Sequence, residues 1–351
     1  MELLQETLKR IRPVESNHNE AFKRWDNLAI PKGSLGRLEE LAKKVVSITN
    51  NQRPELKKKV IFTMAGDHGV ADLGVSAFPK EVTSQMLCNF AKGGAAINIL
   101  ARHIGAKVVV VDMGVAEDIK LHPDIKNKKI GYGTADFSKG PAMSKEEAVL
   151  SIERGIESFE EEYKKGIDIV GTGDMGIGNT TPSSAITAVI AKKAVRVVTG
   201  RGTGINDLEL EKKIDVIGKG IMVNLPDPSD GIDVLSKVGG YEIGGIAGVI
   251  IAACARRVPI VVDGFISTAA ALIASKLKDE VRGYLFAGHS SVEVGHKTAL
   301  RKLKLLPIVD LNLRLGEGTG AALAMGIIEA SCKVLNEVLT FKEAGVSKSK
   351  K

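Results

Sequence analysis

From about residue 58 onward the chain alternates short β-branched runs with stretches of helical apolar spacing, and each run ends in glycine-rich polar sequence. That alternation is the βαβ rhythm of a parallel sheet. The runs predict strands at Val60–Met64, Val108–Asp112, Ile167–Val170, Val195–Val198, Pro259–Asp263 and Tyr284–Ala287. Their continuous apolar character predicts burial on both faces. Before residue 50 and after about 320 the spacing is helical. The expected class is therefore α/β: a parallel-sheet, Rossmann-like catalytic domain over 51–324, with a small helical lobe formed by 1–50 and 325–351. No internal repeat or low-complexity linker interrupts it.

Ligands of open parallel sheets sit outside the carboxyl ends of the strands, so the segments that follow the predicted strands carry the candidate chemistry. They are Ala65-Gly-Asp-His-Gly69, Asp112-Met-Gly114, Gly171 to Thr180, Thr199 to Gly204, Asp263 to Ser267 and Gly288 to Ser291. Their glycines expose backbone N–H groups, and Thr180-Thr-Pro-Ser-Ser184 opens a helix with Pro182 in its first turn. An anionic group would be held well there. A further run, Leu313-Arg-Leu-Gly-Glu-Gly-Thr-Gly320, sets one carboxylate, Glu317, among glycines. Thr319 reads as the N-cap of a helix through Ala321-Ala-Leu-Ala-Met325. Glu317 is then either a loop charge that favours the positive helix end or a carboxylate offered to a small polar ligand.

The length, 351 residues, is enough for one large domain or two smaller ones. No apolar run approaches the roughly 20 residues of a membrane span, and the first ten residues read as an amphipathic helix rather than a secretory segment. A cytoplasmic protein with no membrane partner is expected. Cys88, Cys254 and Cys332 lie far apart in apolar segments and read as core thiols, not as a disulfide framework or metal site. The net charge of +7 raises nucleic acid as a partner, but the lysines are scattered and only 4% of residues are aromatic. Stacking platforms need more rings. Part of the excess is the tail Lys348-Ser-Lys-Lys351, read as a frayed end, and a small anionic substrate accounts for the rest.

Individual motifs compete. Gly171-Thr-Gly-Asp-Met-Gly176 matches GxGxxG after a strand, yet the acidic residue wanted about 20 positions onward for a ribose is replaced by Lys192-Lys-Ala-Val-Arg196. An NADP-dependent oxidoreductase survives only through Arg196. His289, Glu293 and His296 have the types of metal ligands, as do Asp67 and His68, but their spacing establishes no helical ligand set, and polar loop residues satisfying backbone groups explain them equally. In Gly288-His-Ser-Ser-Val-Glu-Val-Gly-His-Lys-Thr298 the lysine does not follow its glycine, so no P-loop is present. Neither a G-x-S-x-G elbow nor a cysteine beside a base appears.

Five blocks, Gly33-Ser-Leu-Gly-Arg-Leu-Glu39, Ala65-Gly-Asp-His-Gly-Val70, Met175-Gly-Ile-Gly-Asn-Thr-Thr181, Gly200-Arg-Gly-Thr-Gly204 and Arg314-Leu-Gly-Glu-Gly-Thr-Gly-Ala-Ala322, come in this order. Together they closely resemble the nicotinate-nucleotide:dimethylbenzimidazole phosphoribosyltransferase family of cobamide biosynthesis. The resemblance implies transfer of 5-phosphoribose from nicotinate mononucleotide to a benzimidazole-type base by a homodimer. It places Glu317 on the family's catalytic glutamate, and Asp174, beside Met175, where many members carry glutamate, either as a catalytic residue or as one that tunes acceptor choice. It implies a phosphoribosyl and nicotinate site at Gly176, Gly178, Asn179, Thr180, Gly202, Gly204 and Gly316, with Lys213 added by charge. It implies an acceptor site at Ser76, Phe78, Gln85, Met86, Met175 and Leu315. Core packing is the competing role for Phe78 and Met86.

The chemistry fits these residues. A benzimidazole that attacks C1′ becomes cationic unless its other nitrogen loses a proton, so a positioned carboxylate contributes about 10² to 10⁴ in rate. The leaving pyridinium departs as a neutral ring, so neither a metal nor a cofactor is called for. A helix N-terminus beside Glu317 would lower its pKa and weaken it as a base, which desolvation must counter. Asn206 and Ser290 depart from the aspartate and arginine common in the family. The acceptor stays open, since relatives use purines or phenols, some as heterodimers. A noncatalytic nucleotide-binding subunit is the nonenzyme alternative, which the retained Glu317 disfavours.

Overall fold

Among the described residues seven stretches form strands: β1 (Lys59–Gly66), β2 (Ala106–Gly114), β3 (Ile125–Asn127), β4 (Ile169–Met175), β5 (Ile260–Val262), β6 (Leu285–His289) and β7 (Pro307–Val309). In this computed structural model, which describes residues 1–15, 19–118 and 122–348, they make one sheet in the order β3-β2-β1-β4-β5-β6-β7, every pair parallel. The basic end at 349–351 lies outside the described residues. The β1 strand is buried along its whole length, Lys59 and Thr63 included, as its largely apolar run favours.

The helix Thr319–Glu337, with Arg37–Thr49 and Ala96–His103 against it, covers one face of the sheet. The other face is covered by Tyr241–Ala255, flanked by Lys145–Tyr163 and Phe265–Leu277. Tyr241–Ala255 is buried at nearly every position and close-packed: a Cβ on Gly155 would lie 2.0 Å from the Gly245 carbonyl oxygen, and one on Gly248 2.0 Å from that of Ile152. The strand order reverses between β1 and β4. Their carboxyl ends therefore diverge around a crevice, the place where such sheets bind ligands.

Two expectations change, and two strands appear that the sequence did not mark. Val195–Val198 is a short helix, not a strand: Val197 is exposed, only Val198 is buried, and Arg196 pairs with Glu211 at the surface. Four residues are too few to set a hydrophobic period against neighbouring helices. The edge strands β3 and β7, three residues each, are unreadable for the same reason. Cys88 is exposed rather than core, because Leu87 and Phe90 take the buried face of its helix, whereas Cys254 and Cys332 are buried.

A second, smaller core joins Ala21, Trp25 and Leu28 to Ala42, Val46 and Leu335. Arg24 ties it to the chain end by donating to the carbonyls of Leu335 (3.0 Å) and Val338 (2.9 Å). The first helix, Glu2–Arg10, does not join this cluster. Its Leu4 packs in the main core, and the Met1 amino group pairs with Glu153 at 2.6 Å.

Candidate active site

Above the crevice lies a cavity of about 330 Å³. Its walls come from the end of β4 and the following turn (Asp174, Met175, Gly176, Asn179, Thr180), from the Gly202–Thr203 loop, from the segments after β5 and β6, and from Arg314 to Glu317. Phe78, Val82 and Met86 close the remaining side. Val82 and Met86 stand four residues apart on one helical face, which leaves Gln85 exposed and outside the wall. Ser76 is also outside it, with its Oγ 3.2 Å from Thr203 Oγ1.

Glu317 sits at the cavity, buried, in a loop where three successive residues have positive φ: Gly316 at 83°, Glu317 at 64° and Gly318 at 103°. For glutamate that backbone costs about 1–3 kcal/mol and must be held by its surroundings. Three contacts hold it. The Glu317 N–H donates to the Asp174 carbonyl (3.2 Å), Thr63 Oγ1 donates to the Glu317 carbonyl (2.8 Å), and the Gly318 N–H donates to Asp263 Oδ2 (3.2 Å). Gly173 lets the loop approach, since a Cβ there would stand 2.2 Å from the Glu317 carbonyl oxygen.

The N-cap is where sequence reasoning misplaced a role. Gly318, not Thr319, occupies the cap position, and Thr319 Oγ1 donates to the Gly316 carbonyl at 2.9 Å. The capping carboxylate is Asp263, at the end of β5, which accepts from Gly318 N–H and, at 2.9 Å, from Ala321 N–H. The positive helix end is thus occupied by Asp263. Glu317 Oε2 accepts instead from the Ile97 N–H, at 3.2 Å, near the start of another helix. The terminal carboxylate of a strand run was the available signal for Asp263; nothing in the sequence marks Ile97.

The glycines of the GxGxxG match are taken by protein contacts: a Cβ on Gly171 would meet Ile61 and Met325 near 3.1–3.2 Å, and one on Gly176 the Gly66 carbonyl oxygen at 2.2 Å. With Arg196 held by Glu211 at the surface, the dinucleotide reading loses its residues. The metal reading loses His296. Its Nδ1 accepts the Ser291 N–H at 3.0 Å and its Nε2 lies 3.0 Å from Thr268 Oγ1, while burial, with His289 nearby, lowers its pKa to about 3.

Of the anion-site candidates, Gly176, Asn179, Thr180, Gly202 and Gly316 line the cavity. Gly178 packs against Ala71, and a Cβ on Gly204 would meet nothing. Lys213 is buried behind Thr180, donating to its Oγ1 at 2.6 Å, and burial lowers its pKa to about 8. Asn179 does not offer its side chain to an anion: Nδ2 donates to Asp174 Oδ2 at 2.9 Å. Asn206 caps the Asp207–Asn224 helix by accepting from Glu209 N–H.

A model of the phosphoribosyltransferase family matches residues 11–346. The chain belongs to this family. It is 57% identical over 348 residues to a nicotinate-nucleotide--dimethylbenzimidazole phosphoribosyltransferase of Geobacter sulfurreducens, covering 99% of each chain. It is 55% identical to one of Chloroflexus aggregans, covering 100% of this chain and 99% of the relative. The crystal structure of the phosphoribosyltransferase of that name from Thermus thermophilus superposes with a TM-score of 0.90 at 39% identity, covering 95% of this chain and 98% of that one. A structure titled CobT from the same organism gives 0.91 at 40% identity, over 95% and 99%.

In this phosphoribosyltransferase the acidic groups are electrostatically coupled. Burial raises the Glu317 pKa, the Ile97 N–H opposes that, and Asp263 adds to it. Asp174 is raised well above the carboxylate range by burial and by Asp263, with Asn179 opposing and with Glu242 and Glu317 adding. Its Oδ1 is buried without a partner. A raised folded-state pKa stabilises the fold fully below the unfolded pKa, and that stability is lost as pH rises through the folded value. Asp174→Asn is therefore expected to melt progressively higher than the native chain as pH rises from about 4 through this window. Thermal unfolding between pH 4 and 9 measures the gap, and a constant gap would show that Asp174 titrates normally.

Proposed function

We infer that this chain transfers the 5-phosphoribosyl group of nicotinate mononucleotide to 5,6-dimethylbenzimidazole, or a related lower-ligand base, in cobamide biosynthesis. Nicotinate and α-ribazole 5′-phosphate are the products. The observation that carries the reading is Glu317, a buried carboxylate at the wall of a cavity with apolar sides at one end and glycine-rich turns at the other, in a chain of this family.

Phe78, Met86, Met175 and Leu315 supply apolar surface for a flat aromatic base. The turn at Gly176 to Thr180 and the Gly202 loop, backed by Lys213, take the phosphate. With both ends held, the azole nitrogen meets C1′ from the face opposite nicotinate. The new C1′–N bond forms as the old one breaks, its electron pair leaving on the pyridine nitrogen, and the azole proton passes to Glu317. A partly desolvated carboxylate with a raised pKa takes that proton better than an exposed one. Asp174, held neutral, would carry its proton on Oδ1 and adds no second negative charge to the wall. The steps call for no metal or cofactor.

The Phe78 and Leu315 side chains line the cavity yet are 53% and 57% exposed. A cavity wall left that open supports a homodimer in which a second copy completes it, and a fully active monomer by light scattering at micromolar concentration would sink it. The cysteines are free, which matches the reducing cytoplasm. For the lobe of 1–50 with 325–351 on a catalytic domain of 51–324, the second small core supports the part from Ala21 to Val46 with Leu335, while Leu4 and Ile11 pack in the main core. The test of the activity is chromatographic: the protein, nicotinate mononucleotide and a panel of bases should yield α-ribosyl phosphates and free nicotinate. Failure with every base would overturn the reading.

A further inference from the structure

We propose that Glu293 is the residue that holds the ribose hydroxyls of the donor nucleotide, making the site selective for ribo- over deoxyribo-nucleotides. The inference rests on the donor being a pyridine mononucleotide, as above.

Glu293 follows β6 and is buried, with 8% exposure, in the cavity wall. It stands at the N-cap of the Val294–Leu303 helix but makes no side-chain cap bond. Among the described residues it forms no ion pair within 4 Å, and its Oε2 is buried without a donor. Burial raises its pKa, with Lys213, the Gly202 N–H and Arg314 pulling the other way. The position is shaped for the carboxylate: a Cβ on Gly200 would stand 2.3 Å from Oε2.

Those neighbours locate it. Gly202 and Lys213 belong to the phosphate end, and Arg314 adjoins the Leu315–Glu317 stretch, where C1′ reacts. The sugar has to span these two ends. A buried carboxylate is acceptor-only and costly without donors. In nicotinate mononucleotide the phosphate and the carboxylate are themselves acceptors, and the quaternary ring nitrogen carries no proton. The ribose hydroxyls are the donors the substrate offers. The other two carboxylates that line the cavity lie toward the reacting end: Glu317 accepts from the Ile97 N–H, and Asp174, with Oδ2 on Asn179 and Oδ1 also without a partner, faces the Gly316 loop, where a Cβ would stand 3.1 Å from its Oδ2. An acidic residue accepting from a ribose hydroxyl is the same physical solution used in dinucleotide sites, here on a different strand from the GxGxxG match.

The experiment compares nicotinate mononucleotide with its 2′-deoxy and 3′-deoxy analogues in the native chain and in Glu293→Gln. A hydrogen bond to a charged group is worth about 10- to 100-fold, so the native kcat/KM should favour the ribonucleotide over at least one analogue by that factor. In Glu293→Gln the ratio should fall toward one, chiefly through loss with the ribonucleotide. Because both substrates meet the same protein preparation, the ratio is insensitive to partial misfolding. Gly200→Ala, which drives a methyl group against Oε2 while leaving the charge, should lower the ratio similarly if the glutamine variant does not fold. Calorimetric titration with ribose 5-phosphate and 2-deoxyribose 5-phosphate keeps the test independent of the transfer reaction. A native chain that prefers the ribose sugar but makes no α-ribosyl phosphate overturns only the proposed activity. An unchanged ribo-to-deoxy ratio for both analogues in the variants overturns the role of Glu293.

Discussion

Glu317→Gln is expected to lower turnover by about 10² to 10⁴ while nicotinate mononucleotide affinity stays within a few-fold. Glutamine keeps the shape, and its amide oxygen still accepts from the Ile97 N–H, as Glu317 Oε2 does at 3.2 Å. The backbone bonds to Asp174 and Thr63 that hold the left-handed loop are unaffected. What is lost is the capacity to take the azole proton, and no other titratable side chain lies in Leu315–Thr319 to replace it. Calorimetric titration of the nucleotide and chromatographic measurement of product test the two halves separately. Near-normal turnover would remove Glu317 as the base.

Asp263→Asn is expected to lower kcat by about 10- to 100-fold and to move the acid limb of the pH–rate profile to lower pH. One part of the effect is positional. Asp263 accepts from both Gly318 and Ala321 N–H, and an asparagine can satisfy only one through its oxygen, losing a charge-assisted bond of about 1.5–3 kcal/mol. The other part is electrostatic. The negative charge of Asp263 raises the Glu317 pKa; without it that pKa falls, and the base is ionised at lower pH but is weaker. A pH profile of kcat shows both. A drop in rate with an unmoved acid limb would mean that Asp263 acts on Glu317 only through position.

Much of the site was legible because its chemistry is concentrated in short glycine-rich segments. Glu317 is the only carboxylate in its run, and the Met175–Thr181 and Gly200–Gly204 blocks are dense in glycine and polar residues, although Gly176 and Gly178 also serve packing against Gly66 and Ala71. Asn179 shows the limit of that legibility. Its residue type and place suggest a phosphate anchor, but its amide goes to Asp174, because a buried carboxylic group takes the nearest donor. Ser76 and Gln85 were polar residues in the right segment; which side of a helix or turn meets the cavity depends on what packs behind it, and there Val82 and Met86 face in.

By itself the sequence determined the α/β class and offered six strand-end or loop segments, of which the four at Gly171–Thr180, Thr199–Gly204, Asp263–Ser267 and Gly288–Ser291 line the cavity while Ala65–Gly69 and Asp112–Gly114 do not. The family resemblance singled out Glu317 as the carboxylate to propose as the base. Apolar runs and glycine clusters are local properties that survive without knowledge of neighbours. Tertiary structure decided what those groups meet. Val195–Val198 became helical because four residues carry too little intrinsic preference to resist their context. Asp263 came to cap a helix whose N-cap residue, Gly318, lies 55 residues later, and Ile97 came to steady Glu317 from a helix 220 residues away in the chain. Such contacts leave no periodic trace in sequence, because they depend on where the seven strands place their ends and not on the spacing within any one of them.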